Sequence, residues 1–120
     1  MLTKDAVVAW LEQLKAAWTT KDVEGALRLF EATERYYERP FHAGTTQSEY
    51  RSYWQDIVNL EDITFDFEVV AVDGNTACVH WRNDFRTPGD GKSCHLDGVF
   101  VIKFDSSLRC IEFRQWWFMA

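Results

Sequence analysis

HLDGVFVIKF (residues 95–104) and RCIEFRQWWF (residues 109–118) are the pair of segments on which the fold turns. Both alternate in the period-2 manner of strands, and Asp105-Ser106-Ser107-Leu108 between them reads as a tight turn, giving two long antiparallel strands. One acid, Asp97, sits in the first strand among Leu96, Val99, Phe100 and Val101. A carboxylate in such a strand must find a partner, keep its proton, or stand where the strand meets solvent. In the second strand Phe113, Trp116, Trp117 and Phe118 supply aromatic mass to both faces of the sheet. Leu108 occupies a turn position that usually wants glycine for a positive φ, which points to a different turn type and a shifted register for the last strand.

Working outward, Pro88-Gly89-Asp90-Gly91 turns the chain back from a strand over Thr76 to Arg86. Before it, Phe65, Phe67, Val69 and Ala71 alternate with Thr64, Asp66 and Glu68, and Asp73-Gly74-Asn75 makes a hairpin turn. Upstream of Leu60 the apolar period is helical. Thr3 can cap a helix with Val7, Trp10, Leu11, Leu14 and Trp18 on one stripe, and Asp22 a second with Val23, Ala26, Leu27 and Phe30. Thr46 and Glu49 form a capping box opening a third, with Tyr50, Tyr53, Trp54 and Ile57 on one side. Glu34 to Arg39 is a short extended piece ended by Pro40, and His42-Ala43-Gly44 reads as a turn. Three helices, one short strand between them and a four-strand meander make an α+β domain with helices on one face of an antiparallel sheet.

At 120 residues the chain reads as one domain, 1–120, able to bury a core. Six Trp, nine Phe and four Tyr imply a core of large side chains, a ring-lined cavity, an aromatic dimer interface, or several of these together. The formal net charge of −6 excludes nucleic acid and anionic membrane as expected partners, since phosphate binding needs a basic stripe. No leader pattern and no apolar run near 18 residues is visible, so a cytoplasmic location is expected. Cys78, Cys94 and Cys110 lie far apart without a CxxC, and no acid/His spacing suggests a metal.

Taken in order, AWTTKDVEGALRLF (17–30), YYERPFHAG (36–44), Tyr53-Trp54, LDGVFVIKFD (96–105) and FRQWW (113–117) resemble the NTF2-like superfamily, in particular its SnoaL-like and ketosteroid-isomerase-like members. The resemblance implies a cone: three N-terminal helices packed in a strongly curved, mostly antiparallel sheet, with a pocket at the open end. It also implies a homodimer meeting through the outer sheet face. Isomerases, dehydratases, cyclases, epoxide hydrolases and binding modules share that fold, so fold alone does not name the reaction. Asp97 falls on the position of the protonated aspartate of the isomerase oxyanion hole, a carboxylic acid that an apolar site keeps neutral. The isomerase general base, an Asp before a proline, corresponds to Arg39, with Glu38 one residue off, and the oxyanion tyrosine corresponds to Leu14. Epoxide-hydrolase-like members carry an Arg-x-Asp pair, matched by Arg82-Asn83-Asp84, and a carboxylate where this chain has Gln115. One of the three parts of the isomerase apparatus is therefore present, and the epoxide-hydrolase apparatus lacks one carboxylate.

Register decides what Asp97 can do, because a slip of one residue moves every side chain to the other face. In one register Asp97 joins the apolar row of Trp81 and Asn83, with Gln115 and Trp117 opposite: an acid in an aromatic pocket, its pKa raised by desolvation. In the other it faces Arg82, with His80 and Asp84 close by, as part of a sheet-face ion network. The ungapped comparison with the family favours the first. On that reading Asp97 is the catalytic acid, Asn83 and Gln115 orient a ligand, and Trp81, Trp117, Trp54, Tyr37 and Tyr53 form the walls. Trp116 and Phe118, on the other row, call for a second copy covering the outer face. The expected ligand is a small apolar molecule with a polar handle. The expectation is first a small-molecule-binding domain with an apolar, aromatic-lined pocket holding one acid, ranked above any named reaction. A cofactor-independent isomerase, lyase or cyclase is one use of that pocket, and a non-catalytic dimeric binding or interaction module is the alternative.

Overall fold

Three helices begin where a side chain can satisfy their first free backbone N–H groups. In the computed structural model, which describes residues 1–120, Ala6 N–H donates to Thr3 Oγ1 (3.1 Å) at the start of α1, Lys4–Thr19. Gly25 N–H donates to Asp22 Oδ1 (2.9 Å) at α2, Val23–Leu29, and Glu49 N–H to Thr46 Oγ1 (3.2 Å) at α3, Gln47–Trp54. The Glu49 carboxylate reaches back to the Thr45 N–H (3.1 Å), so the box closes one residue further out than the sequence suggests. A single 3₁₀ stretch, Gln55–Asn59, then leads into the sheet.

Six strands form that sheet: β1 Arg35–Arg39, β2 His42–Gly44, β3 Glu61–Asp73, β4 Thr76–Arg86, β5 Ser93–Phe104 and β6 Cys110–Met119, in the order β2-β1-β6-β5-β4-β3. The expected meander is β3 to β6. His42-Ala43-Gly44, read from sequence as a turn, is instead an edge strand paired with β1. β1 runs parallel to β6, which makes the curved sheet mixed, and it joins the first third of the chain to its last strand. The helices pack into the concave face. Val7, Leu11 and Leu14 of α1 are fully buried against Phe65, Val79, Trp81, Phe100, Ile102 and Phe113 of the sheet. Removing each such side chain from water stabilises the fold by about 1.5–3 kcal/mol.

Two loops set the register, and both depart from the ungapped expectation. Between β4 and β5 the loop holds six residues, from the pair Arg86–Ser93 inward, and is closed by Thr87 N–H on the Lys92 carbonyl (3.0 Å) with Gly89 and Gly91 at positive φ. That count pairs Arg82 with Asp97 and sends Asp97 to the outer face. Between β5 and β6, Leu108 does adopt a positive φ (63°), and the pairing jumps from Lys103–Glu112 to Phe104–Cys110, leaving Ile111 as an extra residue. Asp97 consequently lies opposite Phe118, and Gly98 opposite Trp117. The expectation that Asp97 shares a face with Trp81, Asn83, Gln115 and Trp117 is therefore corrected.

Candidate functional site

Alternation along β1 turns Tyr36 and Glu38 toward the helices and Tyr37 away from them. Tyr36 is buried, whereas Tyr37 lies outside under the Arg114 guanidinium, 4.1 Å from the ring centre. The β1–β2 ladder slips between Tyr37 and Arg39, which leaves Glu38 out of the pairing register. On its other side the parallel ladder ends at Tyr37–Arg114, so the next residue of each strand, Glu38 and Gln115, come together inside the cone. Gln115 Nε2 donates both to the Glu38 carbonyl oxygen (2.9 Å) and to its carboxylate Oε2 (3.1 Å).

These two residues stand on the wall of a cavity of about 110 Å³. Trp18 of α1, Tyr53 and Trp54 of α3, Trp81 of β4, Phe113 and Trp117 of β6 form most of the rest. The rings pack on one another, with Trp18 5.1 Å from Trp54 and Tyr36 5.2 Å from Tyr53 between centres. Trp81 can lie across β5 because Gly98 is beneath it: a β-carbon there would stand 2.6 Å from Trp81 Cζ2 and would collide with the Trp116 carbonyl.

Burial among these rings pushes the Glu38 carboxyl up from 4.5 to about 7. The nearby Arg39 guanidinium opposes that rise, Asp56 adds to it, and the Tyr36 phenol draws it back. Burial likewise holds the Tyr36 phenol well above its usual range and, with help from Glu49 and Glu38, raises Tyr53. The indole Nε1 atoms of Trp54 and Trp81 are sealed from solvent without a hydrogen-bond partner. The site thus offers one carboxyl that changes charge near neutral pH, two phenols, one amide and an aromatic wall.

Of the residues expected at a site, Trp54, Tyr53, Trp81, Gln115 and Trp117 are brought together around this cavity. Asn83 is buried on the same face but outside the cavity wall, where its amide N–H donates to the Thr64 carbonyl (2.8 Å). Tyr37 and Asp97 are on the outer face. Asp97 accepts or shares a hydrogen bond with His80 Nε2 (2.8 Å) and lies 3.9 Å from Arg82, while Asp84 pairs with His95 Nδ1 (2.7 Å). The acid inside the cone is Glu38. Sequence reading placed it one residue off the base position, and the signal available was its shared parity with Tyr36 in Tyr36-Tyr37-Glu38.

Residues 7–109 match the SnoaL-like domain, and the chain belongs to that family. Among solved structures it resembles the epoxide hydrolase/cyclase-like enzyme SalBIII, described for its role in pyran ring formation in polyether salinomycin. That likeness has a TM-score of 0.77 at 13% identity and covers 96% of this chain and 89% of the other, so it shows the shared NTF2-like fold. No curated protein matches the sequence. No helix is long and apolar enough to cross a membrane.

Proposed function

We propose that this chain is a small-molecule enzyme of the isomerase or cyclase kind, in which Glu38 moves a proton inside the aromatic cavity. The observation that carries this reading is the Glu38 carboxyl, clamped by Gln115 within a ring-lined cavity and titrating at about 7. A proton-transfer group works best when its pKa lies near the working pH, because both of its forms are then populated. Deprotonated, Glu38 takes a proton from an acidic C–H or O–H of the bound molecule. Protonated, it returns that proton to the carbon or oxygen where negative charge has gathered. Gln115 fixes the carboxyl on the backbone of two strands, so it stays aligned through both transfers. The Tyr36 and Tyr53 hydroxyls, kept protonated by burial, are the donors available to a developing oxyanion. Membership of the SnoaL-like family and the cyclase-like structural neighbour support this class of chemistry.

Exchange of the α-hydrogens of acetone in D₂O, followed by proton NMR, tests the proposal without knowledge of the natural substrate. The protein is expected to accelerate exchange over buffer, with a rate that rises with pH through about 7, and Glu38→Gln is expected to remove the acceleration. Equal rates for the two proteins would refute a proton-transfer role for Glu38.

A further inference from the structure

The cavity wall is one-sided in its charge. Seven of its eleven residues carry aromatic rings, four of them Trp, one is a carboxylate, and none is Lys, Arg or His. The partial positive edges of two of those rings are withdrawn, because the Nε1 atoms of Trp54 and Trp81 are sealed inside the protein. What those indoles present to the open volume is therefore ring carbon, whose π-faces are electron-rich. Outside that wall, the Arg39 guanidinium and, more weakly, the Asp56 carboxylate bear on Glu38 with opposite signs, so the one charge on the wall itself is that of Glu38. A volume of about 110 Å³ is smaller than the roughly 150 Å³ of a cavity that holds benzene and leaves room for a group of about five heavy atoms.

Resting on the reading that this cavity receives a small molecule, we infer that the group seated in it is a compact organic cation, a substituted ammonium centre surrounded by the Trp and Tyr rings and paired with Glu38. Aromatic rings gathered round one carboxylate satisfy such a cation twice over, through the ring quadrupoles and through one formal charge, and neither attraction is available to an anion. An ammonium in this position also favours the ionised form of Glu38, the form that accepts a proton, so binding and base strength are linked.

Tetramethylammonium and tert-butyl alcohol, two probes of nearly equal size, separate charge from shape. Their binding is followed at constant ionic strength by NMR of the Trp54 and Trp81 indole N–H signals, which report on the cavity and ignore the acidic surface. At pH 8 tetramethylammonium is expected to bind about tenfold or more tightly than the alcohol. That preference should shrink at pH 5.5, where Glu38 is protonated, and should shrink to the same extent in Glu38→Gln at both pH values, where the rings alone hold the cation. Should that variant fail to fold, the pH series on the unaltered protein carries the same test. Equal binding of the two probes, or a preference unmoved by pH and by the substitution, overturns the inference and leaves the cavity reading standing. If neither probe shifts the indole signals, both the inference and the cavity reading fall.

Discussion

Glu38→Gln should change the pH dependence of folding in a direction opposite to that of most carboxylates. The native state holds the Glu38 proton up to about 7, whereas the unfolded chain releases it near the ordinary 4.5. Between those values the unfolded state binds fewer protons than the native state, so this residue's contribution to stability falls as pH rises. At 1.36 kcal/mol per pH unit, the gap between 4.5 and about 7 comes to about 3 kcal/mol, accruing between those values, absent below pH 4 and present in full above about pH 7. Glutamine has nearly the same shape, carries no charge, and can still accept from Gln115. The assay is urea unfolding of both proteins at half-unit steps from pH 4 to 8.5, reading the difference in unfolding free energy, which cancels the other titrating groups. That difference is expected to move in favour of the Gln variant by up to about 3 kcal/mol across the window and then to level off. For a domain whose whole stability is about 5–15 kcal/mol, the effect would be plain in the unfolding midpoint. A difference that stays constant across pH would refute the reasoning, since it would mean that Glu38 titrates alike in both states.

Gly98→Ala forces a β-carbon toward Trp81 and the Trp116 carbonyl, so it should cost about 1–3 kcal/mol and displace Trp81 into the cavity, read as a shift in Trp emission and lost probe binding. Asp97→Asn disturbs an exposed ion pair on the far side of the sheet from the cavity; stability should change by less than about 1 kcal/mol and probe binding should not change. Leu108→Gly relieves a left-handed backbone at a half-exposed position and should raise stability by about 0.5–1 kcal/mol in thermal unfolding. Trp116 and Phe118 on the outer face are 43% and 86% exposed, and a second copy covering them predicts that Trp116→Glu shifts light-scattering mass from dimer toward monomer.

Much of this architecture is written locally. Thr3, Asp22 and Thr46 mark their helices because a short side-chain oxygen three residues ahead of a free N–H needs nothing from the rest of the chain. Strand parity and helical spacing are local too, so Trp81, Gln115 and Trp117 on the strands and Tyr53 and Trp54 on α3 are legible as inward residues. The acid was not, for reasons of counting. Asp97 reaches the outer face because the Thr87–Lys92 loop holds an even number of residues, and the left-handed Leu108 with the extra Ile111 shifts β6 once more. Neither count follows from residue type, since Gly89 and Gly91 permit several loop closures. Glu38 was hidden in the same way: its inward parity was visible, but the slip beside Arg39 that frees it from the ladder and aims it at Gln115 depends on an edge strand that reads as a turn.

The clamp between Gln115 and Glu38 spans 77 residues of sequence, and the parallel β1–β6 ladder that sets it up spans as many. Closing a loop of that length is the slow kind of contact in folding, because its entropy must be met before any ladder bond forms. The helices and the β3–β5 hairpins can assemble from near neighbours and leave Glu38 on a loose segment with ordinary acidity. Proton-transfer competence should therefore arrive as a late kinetic event, after the bulk of the secondary structure, when the two chain-distant strands finally zip together and shut the acid away from water.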